Sequence, residues 1–127
     1  MANFSEIINS EQPVLIDFYA DWCGPCKTLS PIIQEVAKEL NGNARVLKID
    51  VDKNQRLASK LGIKGVPTML IYQKGKIMWR QSGVMQKSEI VSKLNQFTQT
   101  QATRFLFGIA LLLERKLTLY RFNTHFR

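Results

Sequence analysis

Between Pro13 and Ala20 the chain reads PVLIDFYA, with Val14, Ile16 and Phe18 on one side and Leu15 and Tyr19 on the other. A strand that is apolar on both faces predicts a sheet covered on both sides by helices. After Cys23 the period changes. Leu29, Ile32, Ile33, Val36, Ala37 and Leu40 recur at helical spacing, and Asn41-Gly42 closes that helix. Arg45–Val51, RVLKIDV, predicts a second strand. A short helix around Leu57, Ala58 and Leu61 ends at Gly62. Pro67–Gln73, PTMLIYQ, predicts a third strand, which Lys74-Gly75-Lys76 turns into a fourth at Ile77–Ser82. Ile90, Val91, Leu94 and Phe97 mark a last amphipathic helix. At the other end, Asn3-Phe-Ser-Glu6 has the pattern of a capping box opening a short helix. The order αβαβαββα predicts an α/β layer sandwich with a mixed sheet.

The pattern then breaks. Thr98–Thr103, TQTQAT, is polar and low in complexity and reads as a linker, dividing the chain into a domain over 1–98 and a tail over 99–127. Phe105–Leu113 is an uninterrupted apolar run of nine residues, stopped by Glu114-Arg115-Lys116. A helix of that length spans about 14 Å, against a bilayer core of about 30 Å, so the run does not cross a membrane alone. Three readings of the tail stay open. It lies on an anionic membrane surface, for which bulky apolar residues and arginines are suited; it folds back, with the alternating Leu117–Phe122 covering a sheet edge; or it has no selected role. No internal repeat is visible.

Composition changes this picture little. At 127 residues, 45% hydrophobic and 22% charged, the chain is an ordinary globular domain with a modest core. The net charge of +8 is uneven: thirteen basic and nine acidic residues fall before the tail, five basic and one acidic within it. The lysines before the tail are scattered, without a basic run, so a solvated surface is the reading there and nucleic-acid binding is not. MANFSEIINSEQ has no basic stretch followed by an apolar one, so no signal peptide is expected and the setting is expected to be cytoplasmic. In that setting a cysteine pair is more often redox-active or metal-binding than a structural staple.

The two cysteines of the chain, Cys23 and Cys26, lie within DFYADWCGPCK, Asp17–Lys27. Structural zinc takes four nitrogen or sulfur ligands. Two cysteines and the distant His125 do not supply them, so no metal is expected. A cross-link closing so short a loop adds little stability. Thiol–disulfide exchange fits better. Cys23 falls where strand hands over to helix, and free N–H groups at a helix start stabilise a thiolate. Cys26 lies one turn further in, placed to resolve a mixed disulfide. Pro25 suits a first helical turn, and Gly24 lets a partner approach closely. Asp17 is buried whichever way it points, because both faces of its strand are apolar. A buried carboxylate without a partner has a raised pKa, which suits a proton carrier near neutral pH; a structural acid tied to Lys48 is the alternative.

Trp22-Cys23-Gly24-Pro25-Cys26-Lys27, together with Asp17, Pro31, Lys48, Gly65-Val66-Pro67-Thr68 and Gly83, resembles the thioredoxin family over about Asn3 to Phe97. The resemblance implies a thioredoxin-like three-layer sandwich. It implies that Cys23 is the exposed nucleophile and Cys26 the buried resolving thiol. By the same likeness Asp17 relays the proton of Cys26, and the Lys48 ammonium lies near that acid. Pro67 would be a cis-proline facing the cysteines, and Val66 would pair its backbone with an extended substrate. Trp22, Gly24, Pro25, Gly83 and Val84 would form the rim of the substrate groove, and Pro31 would bend the long helix. The implied activity is reduction of disulfides in client proteins, with no bound cofactor. A thioredoxin reductase drawing on NADPH would regenerate the Cys23–Cys26 dithiol of a monomeric protein. Gly-Pro between the cysteines matches the reducing branch rather than an oxidase or isomerase. The rival from another class is a non-catalytic binding subunit tethered by its tail. Met69, Met78 and Met85 are expected to fill core or edge positions. One departure stands out: too few residues precede the first helix for the family's opening strand, so four strands are expected, with Arg45–Val51 at an open edge.

Overall fold

The computed structural model describes residues 3–98 and Ile109. The strand with two apolar faces is its centre. β1 (Val14–Tyr19) is buried along its first five residues. It pairs in parallel with β2 (Arg45–Asp50) and antiparallel with β3 (Thr68–Gln73), which pairs antiparallel with β4 (Lys76–Ser82). The resulting order, β2-β1-β3-β4, is the mixed four-stranded sheet expected from the sequence. The central strands β1 and β3 are buried along their first five residues, as strands covered on both faces are. Edge strand β2 is only partly buried, and β4 is largely exposed.

Among the residues 3–98, four helices make the outer layers: α1 (Phe4–Ile8), α2 (Gly24–Glu39), α3 (Gln55–Lys60) and α4 over residues 87–98. On one face Leu15, Met69 and Ile71 pack against Leu29, Ile33 and Val36 of α2 and Ile90 and Leu94 of α4. On the other, Val14, Ile16, Phe18, Leu70 and Tyr72 meet Phe4 and Ile7 of α1 and Leu57 of α3. The period-2 split read from PVLIDFYA is thus the split between the two cores.

Local chemistry sets the boundaries. Asn3 caps α1, its side chain accepting from the Glu6 amide at 2.9 Å. Lys74 and Gly75 both hold positive φ, 53° and 81°, as a two-residue type I′ hairpin turn requires. That turn is fastened to the end of α1: Lys74 N donates to Ser10 O at 3.0 Å and Gly75 N to Ile8 O at 2.9 Å. A bulge interrupts the last pairing, since Ile71 faces Trp79 while Tyr72 faces Ile77, leaving Met78 over as the extra residue. Met69 is core, Met85 packs against it and Met78 sits exposed at the edge, the filler roles expected of them.

Among the described residues β1 is the single strand partner of β2, so the far edge of β2 is open there, and no strand precedes α1. Helix α4 still includes Thr98, one residue into the stretch read as a linker. The rest of that linker, the apolar run apart from Ile109, and the expected strand Leu117–Phe122 lie outside the described residues.

Candidate active site

The site begins where β1 ends. The chain leaves the sheet at Tyr19 and Ala20 and re-enters regular structure at Cys23, which is the N-cap of α2. Cys23 keeps extended backbone angles, φ −90° and ψ 113°, while its Sγ accepts from the Cys26 amide at 3.2 Å. A sulfur here sits at the positive end of a sixteen-residue helix, with a backbone donor aimed at it. Pro25 occupies the first turn, where its missing N–H costs no hydrogen bond. A side chain added at Gly24 would meet nothing within 4 Å, so this part of the surface is open to a partner. The Cys23 and Cys26 side chains are joined as a disulfide, with Cα atoms 5.3 Å apart.

Expected exposure and observed exposure differ at this pair. Cys23 was expected to be exposed and Cys26 buried, yet in the disulfide they are 4% and 3% accessible. The cause is the segment before β3. Val66 packs on the cysteines, and Cys23 Sγ lies 3.7 Å from Val66 O. What separates the two sulfurs is their place on α2: Cys23 caps it and Cys26 lies inside its first turn.

The Val66–Pro67 peptide bond is cis, as the resemblance implied. This segment is held from both sides. Thr68 Oγ1 donates to Gly65 O at 2.7 Å and lies 3.0 Å from Ser82 Oγ. The Gly83 amide donates to Pro67 O at 3.0 Å, from a φ of +94° that favours glycine. Val84, next along, is 44% exposed. Trp22 is 71% exposed and therefore a surface aromatic rather than a core one. Its indole Nε1 donates to Asp52 Oδ2 at 2.8 Å, and the Asp52 amide in turn donates to the buried Asp50 carboxylate at 2.9 Å. Asp50 and Asp52 escaped the sequence reading. The signal was present in IDVDKN, where an aspartate ending a strand accepts from the amide two residues on.

Asp17 stands within β1. It shares a face of β1 with Leu15, which packs on α2, and Tyr19, which packs against the cysteines. The residue is wholly buried, and among the described residues neither carboxyl oxygen has a hydrogen-bond partner. Burial lifts its pKa from 3.8 to about 6, with the Lys48 ammonium pulling the other way. Lys48 is directly opposite Asp17 in the β1–β2 register. The ammonium, however, is not tied to the acid. Lys48 Nζ donates to Ser30 Oγ at 2.7 Å and lies 4.5 Å from the centre of the Tyr19 ring. Tyr19, Ser30 and Lys48 line a pocket of about 130 Å³ together with Ala20, Asp21, Cys26 and Lys27. Pro31 lies within α2, where it withholds a helical hydrogen bond from Lys27 O.

A family model described as Thioredoxin matches residues 1–96. A thioredoxin of Rickettsia felis is 42% identical over 91 residues, covering 72% of this chain and 87% of its own. One from Haemophilus influenzae is 37% identical over 92 residues, covering 72% and 86%. Among solved structures, a mutant thioredoxin from Halobacterium salinarum superposes with a TM-score of 0.68 at 37% identity, covering 74% of this chain and 81% of its own. Chloroplastic thioredoxin z gives 0.66 at 35% identity, over 72% and 82%.

Proposed function

The chain belongs to the thioredoxin family and is a thioredoxin-type protein-disulfide reductase whose redox group is its own Cys23–Cys26 disulfide; from that premise we propose how its residues divide the work. Cys23 is the attacking thiol. In the reduced protein its thiolate displaces one sulfur of a client disulfide, forming a Cys23–client mixed disulfide and releasing a client thiolate. Asp17 then takes the proton of Cys26. The Cys26 thiolate attacks Cys23 Sγ, the second client sulfur leaves, and the Cys23–Cys26 disulfide is restored. Two electrons have passed to the client. Trp22, Gly24, Pro25, Val66, Pro67, Gly83 and Val84 form the surface that receives the client, with Val66 offering its backbone to an extended segment. The members of the family work with a reductase and with disulfide-containing clients. For this chain we take the reductase to be an NADPH-dependent thioredoxin reductase, the active form to be a monomer and the compartment to be the cytoplasm.

The observation that carries the assignment is the N-cap position of Cys23. One sulfur stands at the helix start with the Cys26 amide aimed at it, and the other is inside the first turn. A thiolate gains most from the free N–H groups and dipole at the former place. Reduced protein treated with iodoacetamide should alkylate first at Cys23, with an apparent pKa well below the free-thiol value of about 8.5. Cys26→Ser should accumulate mixed disulfides with clients, and Cys23→Ser should not. Faster alkylation at Cys26 would reverse the roles.

A further inference from the structure

Ser30 stands one helical turn after Cys26, on the same face of α2. Its hydroxyl is the acceptor of the Lys48 ammonium at 2.7 Å, and the Tyr19 ring lies under that ammonium at 4.5 Å. Lys48 is the residue directly opposite Asp17 across β1 and β2. An ammonium on a flexible four-carbon stem has a choice between partners. Here it faces a hydroxyl and an aromatic face, and among the described residues it leaves a wholly buried carboxyl without a hydrogen bond.

We propose that Ser30 is a positioning residue: with the Tyr19 ring it holds the Lys48 ammonium over the pocket beside Cys26 and so withholds it from the Asp17 carboxyl. The inference rests on the relay role given to Asp17 above only for its consequence in turnover; the arrangement of the cation stands apart from it. Two contacts fix the ammonium where it is. A hydroxyl acceptor satisfies one of its three protons, and the ring face attracts the charge. Removing the hydroxyl leaves the ring face and carboxylates as partners, Asp21 in the same pocket and Asp17, and β1–β2 pairing already places the lysine across from Asp17.

The surrounding groups are few. Tyr19 comes from β1, Asp21 from the loop after it, Cys26 and Lys27 from α2 and Lys48 from β2, while β3 presents the neutral Met69 opposite Asp17. Among the described residues Lys48 is the charge that acts on Asp17. In the disulfide form the cysteines do not titrate, so the oxidised protein isolates the carboxyl.

The test is a carbon-13 NMR titration of the Asp17 carboxyl in oxidised full-length protein, for wild type, Ser30→Ala, Ser30→Thr, Lys48→Met and the Ser30→Ala/Lys48→Met double variant. Ser30→Ala should lower the Asp17 midpoint by about one pH unit, the size expected when an opposite charge comes within reach. Ser30→Thr, which keeps the hydroxyl, should restore it. In the Lys48→Met background Ser30→Ala should have no effect. An unmoved or raised midpoint in Ser30→Ala, or an equal drop with and without Lys48, overturns the inference. The pH profile of disulfide reduction separates the two readings. If the carboxyl midpoint moves and the rate profile follows, both stand. If the midpoint moves and the profile stays, Ser30 positions the cation and Asp17 is not the relay.

Discussion

At the scale of single residues, Asp17 is where fold and chemistry pull in opposite directions. A carboxyl lifted to about 6 by burial binds its proton more tightly folded than unfolded, where its ordinary value is 3.8. Its contribution to stability is therefore complete below about pH 4 and is lost as the pH rises through about 6. Two pH units correspond to an effect on the order of 2–3 kcal/mol. Asp17→Asn carries no such dependence. Urea unfolding should show the stability of the variant relative to wild type increasing by that amount between pH 4 and pH 7, and level above. At the same time Asp17→Asn should slow disulfide reduction at neutral pH, because an amide cannot take the Cys26 proton. Equal rates for the two proteins from pH 6 to pH 8 would remove Asp17 from the relay. The lysine across the sheet shows what a sequence does not contain. That Lys48 lies near Asp17 followed from the resemblance, but its bond to Ser30 depends on the β1–β2 register and on how α2 is turned above it.

At the scale of elements, legibility follows sequence distance. β1 was readable because both of its faces are apolar, and the Cys23 cap because strand, break and helix follow one another in one short segment. The indole bond from Trp22 to Asp52 joins residues thirty positions apart and was invisible. So was the cover that Val66 places over Cys23, which is why the cysteine's exposure was misjudged. Arg80 is a further case. From β4 its guanidinium donates to the carbonyls of Leu61 and Gly62, closing the end of α3. The β3–β4 turn gives an element-scale test. Gly75 has a φ of +81°, and an added Cβ would lie 2.6 Å from Asn9 Oδ1. Gly75→Ala should therefore lower the unfolding free energy by about 1 kcal/mol or more, from backbone strain and displacement of Asn9. Lys74→Asn, better suited to the positive φ of 53° at that position, should raise it by a few tenths. Thermal melts of the two variants should move in opposite directions.

At the scale of the molecule, every residue assigned to chemistry lies between Asp17 and Val84, and the family match ends at residue 96. We expect a chain ending at Gln101 to fold and to reduce disulfides about as well as the full chain, with activity per folded molecule as the measure. Amide exchange in β2 then distinguishes the readings of the tail. If Leu117–Phe122 covers the open edge, truncation speeds exchange there and lowers the melting temperature. If the tail has no part in the fold, both stay put. Loss of activity in a folded truncation would contradict the division into domain and tail.

The central claim is that the cysteine pair at the start of α2 reduces protein disulfides, and insulin-disulfide reduction coupled to NADPH oxidation by a thioredoxin reductase measures it directly. Wild type should turn over catalytically, whereas Cys23→Ser should show no rate above the reductase alone. A wild-type protein that binds clients without reducing them, or a Cys23→Ser variant that keeps its rate, would contradict the account and favour a binding subunit built on the same fold.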